Sequence, residues 1–427
     1  MTDAAMTDTS APIELAPPDH TYLHLDSKGR PMHWAMLLEL EAGGERLTLD
    51  AIRDRVAERI GLFDIFRVGI AEGRWRAPRV VLTDRPDLTR HLTGGDFTDQ
   101  ADLRRQLATL METPLPRPEP LWHITLLTPR GDGAQHILLR VHHALSDGIA
   151  GAAFAALLAD GTADDLSEFE RFATSPRFRT PPVEPEVLKE SKAAFNDQWA
   201  AGRAGRGWPK LTKNGRREVA TTGISTRELR RAAKKHDATV HEFVLAAIGR
   251  TLSTIPPGAP AQTLRVTLPV TNDPEFRHTG NAVIVTPLNL LGNEPDLGRQ
   301  IERCRSELAT IERRRPELTS AAPDSGPALP WPVQRVIAHA AMAHMSPDIH
   351  IGINPGFSRI RAVLGRRIAE LTPLSPLAGY SFSVTSLILG NRTSFGVVTD
   401  PAALPAGYAA TFVENFDRVL REAAPSA

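Results

Sequence analysis

The sequence predicts an α/β chain folded as two comparable lobes with mixed sheets. Short apolar runs alternate with patterns of helical period along its whole length. Its 427 residues suffice for two units that each bury a core. Near the middle, Thr180-Pro181-Pro182, Glu184-Pro185 and the glycine-rich run Gly202 to Gly207 break the pattern, as a connection between two bodies would. The organisation expected is a disordered tail over residues 1–12, an N-terminal lobe over 13–160, a linker over 161–217 and a C-terminal lobe over 218–427.

Along the chain, Trp34 to Leu40 reads as a strand, Leu49 to Ile60 as a helix, and Ile65 to Ile70 and Trp75 to Leu82 as further strands. Asp102 to Glu112 has helical spacing, and Trp122 to Thr128 is a strand stopped at Pro129. The strand Ile137 to Val141 runs into His142-His143-Ala144-Leu145-Ser146-Asp147-Gly148, a turn that precedes a small-residue helix from Ile149 to Ala159. The linker carries one helix, Val187 to Ala201. In the second half Val219 to Ser225 is a strand, and Thr226 caps a helix that buries Leu229. Thr239 to Leu252 is a buried helix, and Leu264 to Val270 and Ala282 to Leu290 are strands. Arg299 to Arg314 is a helix with one solvated, charged face. Ser381 to Leu389 and Thr393 to Val398 flank Gly390-Asn391 as a hairpin. Pro405 to Glu422 closes as an amphipathic helix with proline in its first turn.

Composition narrows the class. Hydrophobic residues at 41% and charged residues at 23% are those of a soluble globular protein. Fifty Lys and Arg balance fifty Asp and Glu, so net charge supplies no drive toward nucleic acid or anionic lipid. Cys304 is the single cysteine, which excludes an internal disulfide and a cysteine metal cage and suits a reducing, cytoplasmic setting. Its charged helical surroundings make it a packing residue. No apolar run reaches about 18 residues, so no transmembrane helix is expected. Met1 to Ser10 lacks the basic-then-apolar order of a signal peptide.

The heptapeptide from His142 to Gly148 carries the chemistry. A histidine held at a strand end suits general-base work, because its unperturbed pKa of about 6.5 lies close to working pH. Adjacent residues on an extended segment point opposite ways, so one histidine faces inward while the other is presented. Asp147 either folds back within the turn or pairs with a cation beneath it. The plainer alternative is a hydrogen-bonded turn in which Gly148 supplies backbone freedom. The paired histidines, set between a strand and a helix, favour catalysis. Metal ligation by His142, His143 and Asp147, or by His339, His344 and His350, is the rival chemistry. Neighbouring histidines diverge, however, and a spacing of five fits one helical face poorly. His241-Glu242-Phe243-Val244-Leu245 begins like a His-Glu-x-x-His protease helix but lacks the second histidine. No metal is expected.

This arrangement resembles the His-His-x-x-x-Asp-Gly signature of the acyltransferases dependent on CoA or carrier proteins, which include condensation domains and chloramphenicol acetyltransferases. Further segments are similar to the wax ester synthase/diacylglycerol acyltransferase branch: Leu15-Ala16-Pro17-Pro18-Asp19, Pro31-Met32-His33-Trp34, Pro120-Leu121-Trp122, Gly280-Asn281, Asn354-Pro355-Gly356, Leu374-Ser375-Pro376-Leu377, Phe395-Gly396 and Thr399-Asp400-Pro401. They run in order from about Leu15 to Leu420. The chain departs from the branch at His241-Glu242, where an Asn-Asp pair is usual, and at Thr271-Asn272-Asp273, where an arginine is usual.

The resemblance implies two chloramphenicol acetyltransferase-like lobes with an active-site tunnel at their interface. It implies that His143 is the general base, that His142 fixes the loop, and that Asp147 pairs with an arginine. Gly148 would let the backbone approach a thioester arm. Asn281 would hold that arm or the thioester carbonyl, although an asparagine after glycine is also ordinary turn chemistry. Ser375 joins it as a substrate-binding candidate. His241 and Glu242 either shape an acceptor pocket or simply begin a helix. The activity implied moves an acyl group from acyl-CoA or a phosphopantetheinyl carrier protein, acting in trans, to an alcohol, with no bound cofactor. An amide-forming condensation enzyme and an inactive scaffold of the same fold are the alternatives.

Overall fold

The computed structural model describes residues 13, 15–71, 73, 75–161, 163–174, 184–202, 207–256, 263–271, 273, 275, 278–314, 329–354, 356 and 362–423. The expected tail, the Thr180-Pro181-Pro182 break, Asn272 and Pro355 lie outside them. The N-terminal part runs α1 (Pro17–Leu25), β1 (His33–Leu40), α2 (Leu49–Arg59), β2 (Val68–Ala71), β3 (Arg79–Leu82), α3 (Leu88–His91), β4 (Leu92–Phe97), α4 (Gln100–Glu112), β5 (Trp122–Pro129), β6 (His136–His142) and α5 (Ala152–Ala155). After α6 (Ala163–Thr174) and α7 (Pro185–Ala201) come β7 (Glu218–Ser225), α8 (Thr226–Lys235), α9 (Val240–Thr254), β8 (Thr263–Thr271), β9 (Val283–Leu291) and α10 (Leu297–Arg314). The chain ends with α11 (Trp331–Met345), β10 (Ile349–Ile353), β11 (Ala362–Val363), β12 (Arg366–Leu374), β13 (Phe382–Leu389), β14 (Arg392–Thr399) and α12 (Tyr408–Ala423).

Among the described residues these strands build two six-stranded mixed sheets, ordered β11-β12-β1-β6-β5-β4 and β7-β14-β13-β10-β8-β9. The α/β fold with mixed sheets in two lobes is therefore present. β1 lies inside the first sheet and reads as a nearly continuous apolar run because both its faces are covered. Trp34, Met36, Leu38 and Leu40 enter the first-lobe core with Ile137, Leu139 and Val141 of β6. Ala35 and Leu37 face the other way, into a cluster with Leu138, Leu374, Val219 and Val398 that joins the lobes. At Gly396 of β14 an added Cβ would sit 2.0 Å from the Pro373 carbonyl oxygen, so glycine is what lets β14 approach β12.

Several expectations change. Only Ala152–Ala155 of the predicted 149–159 helix is α-helical. The surrounding small residues close i→i+3 turns such as Ala152 N–H to the Ile149 carbonyl, and an added Cβ at Gly151 would lie 2.4 Å from Trp34. Close packing, not helical propensity, shapes this segment. Asp64–Arg67 forms a 3₁₀ turn before β2, and β3 is confined to Arg79–Leu82. Thr226 does not cap α8; its hydroxyl bonds the Thr393 hydroxyl at 2.8 Å, and Ser225 is the cap residue. β4, a glycine-bearing edge strand parallel to β5, was not anticipated, nor were α11, β10, β11 and β12. β11 and β12 belong to the expected C-terminal lobe by chain order but complete the first sheet. Within the expected linker, α7 packs on β9 and α10. The Gly390-Asn391 hairpin forms, with Gly390 at φ 58°. Among the described residues no helix is long and apolar enough to cross a membrane.

Candidate active site

β6 ends at His142, and the His143 N–H donates to the Met32 carbonyl at 2.8 Å, so β1 and β6 together present the motif. Trp34 Nε1 donates to the Ser146 carbonyl at 3.0 Å and pins the loop from below. The second lobe grips the same loop: Asp147 N–H donates to the Gly280 carbonyl at 3.0 Å, and Ser146 bridges Gly280 in parallel. The motif therefore sits where the lobes meet, a favoured place for a small-molecule site.

His142 turns inward as alternation requires. Its Nδ1 accepts from Ala144 N–H at 3.1 Å, and its Nε2 lies 3.7 Å from Asp26. Arg117 pairs with that same Asp26 at 2.7 Å. Burial pushes the His142 ring below its ordinary range, against the pull of Asp26. His143 faces the other way, stacked on Tyr22 of α1 with centroids 3.8 Å apart and planes within 7°. Its Nδ1 lies 3.0 Å from Asn281 Oδ1, and among the described residues Nε2 carries no hydrogen bond. Burial lowers its pKa to about 4, and the charge of Asp147 works in the opposite direction.

Asn281 is fully committed. Its Nδ2 donates to Asp19 Oδ1 at 2.8 Å and to the His143 carbonyl at 2.7 Å, while its backbone N–H also reaches Asp19 at 3.1 Å. The amide thus links α1 to the histidine motif. Asp147 pairs not with an arginine but with His278, at 2.9 Å, and His278 reaches Asp273 through its other nitrogen at 3.0 Å. Asp147 also accepts from the N–H groups of Ile149, Ala150 and Ala282. Burial alone would raise the Asp147 carboxyl; His278 and these backbone donors reverse that and hold it below its ordinary value. Burial alone would lower His278, but Asp147 and Asp273 hold it above its ordinary value. The His278 ring is thus bridged between two carboxylates, Asp147 and Asp273.

Gly148 is not in the left-handed region, and a Cβ there would meet only Asn354 Oδ1 at an ordinary 3.6 Å, so backbone freedom is not why glycine stands there. Ser375 bonds the Tyr380 side chain, and Tyr380 stacks on His350 at 5.0 Å. His241 and Glu242 are not brought to the motif's partners. Glu242 closes a capping box with Thr239 and pairs with Arg305 of α10 at 3.2 Å, so the pair begins α9 within the second lobe. His339 and His344 lie on α11 while His350 is buried on β10, and among the described residues no three His, Cys, Asp or Glu side chains converge as a metal-binding group. Cys304 is buried, which pushes its thiol up and leaves it inert.

The sequence reading missed Asp19 and Tyr22 as partners of His143, His278 as the partner of Asp147, and the Asp26–Arg117 pair. Asp19 stood in view after two prolines, as a helix-start acid. Nothing in sequence spacing linked it to Asn281, which is 262 positions away. At the far end of β6 a cavity of about 250 Å³ opens between the lobes, beside Glu39, His136 and Arg392; its lining stops short of His143.

Residues 15–196 match the family described as the wax ester synthase/diacylglycerol acyltransferase catalytic domain. No curated protein matches the chain. Among solved structures, the wax ester synthase/diacylglycerol acyltransferase of Marinobacter aquaeolei VT8 is similar, with a TM-score of 0.67 and 18% identity over 96% of this chain and 98% of that one. The first condensation domain of the calcium-dependent antibiotic synthetase matches with a TM-score of 0.63 and 16% identity over 98% of both chains. The epimerization domain of tyrocidine synthetase B matches with a TM-score of 0.58 and 13% identity over 96% of both. The family match thus covers the motif-bearing N-terminal part of the chain, and the fold is shared over nearly the whole length with a wax ester synthase/diacylglycerol acyltransferase and a condensation domain.

Proposed function

We propose that the protein transfers an acyl group from a CoA or carrier-protein thioester to an alcohol, with His143 as general base. The observation that carries the reading is the His143 ring itself. Its Nδ1 is engaged by Asn281, its plane is held by Tyr22, and its Nε2 is left to meet an acceptor proton. With a pKa of about 4 the ring is neutral at physiological pH, the form a base must have. As the acceptor oxygen attacks the thioester carbonyl, Nε2 takes its proton; the new C–O bond forms, the C–S bond breaks, and the proton passes to the departing sulfur. The imidazolium that forms transiently is favoured by the negative charge of Asp147. No nucleophilic serine or cysteine is needed, because the acceptor attacks directly.

An amine acceptor is the second reading. It is favoured by the fold shared with a condensation domain of an antibiotic synthetase, and the same Nε2 serves either acceptor. The test is a mass-spectrometric screen of acyl-CoA and acyl-pantetheine donors against alcohols and amines, run on the parent and on His143→Ala. The variant should fold and lose about 10²–10⁴-fold in turnover. Near-parental turnover by a folded variant at saturating substrates refutes the role of His143.

A further inference from the structure

α1 brings two side chains to His143, and the histidine motif itself requires neither. Asp19 and Tyr22 are three residues apart and so share one face of the helix. Tyr22 lies flat on the imidazole and fixes its plane, but stacking does not choose which ring nitrogen carries the proton. Asp19 reaches that choice through Asn281. Asp19 Oδ1 receives Asn281 Nδ2–H at 2.8 Å, and the other Nδ2 hydrogen goes to the His143 carbonyl at 2.7 Å. A carboxylate and a carbonyl oxygen only accept, so the Asn281 amide has a single satisfied orientation, with nitrogen toward these two oxygens. Its Oδ1 is then turned to the ring, 3.0 Å from His143 Nδ1. An amide oxygen also only accepts, so Nδ1 must carry the hydrogen, and in a neutral ring Nε2 is then the basic nitrogen.

We infer that Asp19 is a positioning residue that fixes the Nδ1–H tautomer of His143 through the side chain of Asn281. The inference rests on the reading of His143 as general base. Without the Asp19 carboxylate only the His143 carbonyl still demands the Asn281 nitrogen, so the amide turns over in part and presents its nitrogen to Nδ1. That favours the Nε2–H form, in which the nitrogen meant for the acceptor is already occupied.

The test is the tautomer of His143 itself, read at pH 7 from long-range ¹H–¹⁵N spectra of histidine-labelled protein, with the resonance assigned by its loss in His143→Gln. The parent should show a protonated Nδ1 and a bare Nε2. Asp19→Asn should populate the Nε2–H form and lower kcat by about 10²-fold, with KM for both substrates unchanged. Because Asp19 also accepts from Ala16 N–H at 2.6 Å to start α1, Ala16→Pro is the control: it removes that donor alone and should keep both tautomer and kcat. Asn281→Leu preserves shape but cuts the link, and it should show the same tautomer loss even if Asp19→Asn fails to fold. An Nε2–H parent overturns the inference, as does either variant that keeps the parental Nδ1–H form, or an Ala16→Pro variant that loses it. Failure of the general-base reading looks different: His143→Ala keeps its rate while the spectra come out as stated.

Discussion

His278→Gln tests the bolt between the lobes. In the parent, His278 is completely buried and its ring donates to Asp147 on one side and Asp273 on the other. Removing one partner of a buried ion pair costs about 3–5 kcal/mol. Here the Asp147 carboxylate keeps three backbone donors, from Ile149, Ala150 and Ala282, so the loss should fall at the lower end, about 3 kcal/mol. The pH dependence has a definite sign. His278 is held above its unfolded value of about 6.5, so its contribution is complete below that pH and is lost as pH rises through the folded pKa. Asp147 is held below its unfolded value of about 3.9, so its contribution is present above that pH and is lost as pH falls through the folded pKa. Urea denaturation from pH 5 to 10 should show stability of the parent falling on the alkaline side, and that fall should be absent from His278→Gln. Parallel curves for the two proteins, whatever their offset, would refute the charged-histidine account.

Three further outcomes are expected. The acid limb of kcat/KM should lie near pH 4, with activity lost as pH drops through it, because burial keeps His143 neutral down to about that value. Tyr22→Ala, which opens one face of the ring to water, should move that limb up toward about 6.5; an unmoved limb means the stack does not set the environment of the ring. The double variant His241→Asn with Glu242→Asp should lower stability through the disturbed capping box, by about 1 kcal/mol, and leave the ratio of kcat/KM among acceptors unchanged. A changed ratio in paired-acceptor competition would instead put the pair in the acceptor channel.

Much of the fold was legible because its signals are local. Alternating or continuous apolar runs located β1, β5, β6, β7, β8, β9, β13 and β14, and the long apolar run after Thr239 located α9. Elements whose signals are weak escaped. β4 is shortened in apolar content by Gly94 and Gly95, and the two-residue β11 is held by tertiary pairing with β12 and with Ala159 and Asp160. The segment after Gly148 misled because alanine and glycine promise a helix, while the nearby Trp34 ring demands a tighter path.

At the site, the histidine pair and its opposed directions were legible locally. A strand end, two adjacent histidines of opposite direction, and an aspartate at fixed spacing are all set within seven residues, where backbone geometry alone decides orientation. Tertiary structure decided everything that tunes them. Asp19, Tyr22, Asn281 and His278 come from α1 and from the connection between β8 and β9, separated from the motif by more than a hundred residues, and only lobe docking brings them together. Hydrogen bonding and burial act over a few ångströms of space with no regard to chain separation. Which histidine nitrogen carries a proton, and which cation answers Asp147, are therefore properties of the packed interface and not of the motif.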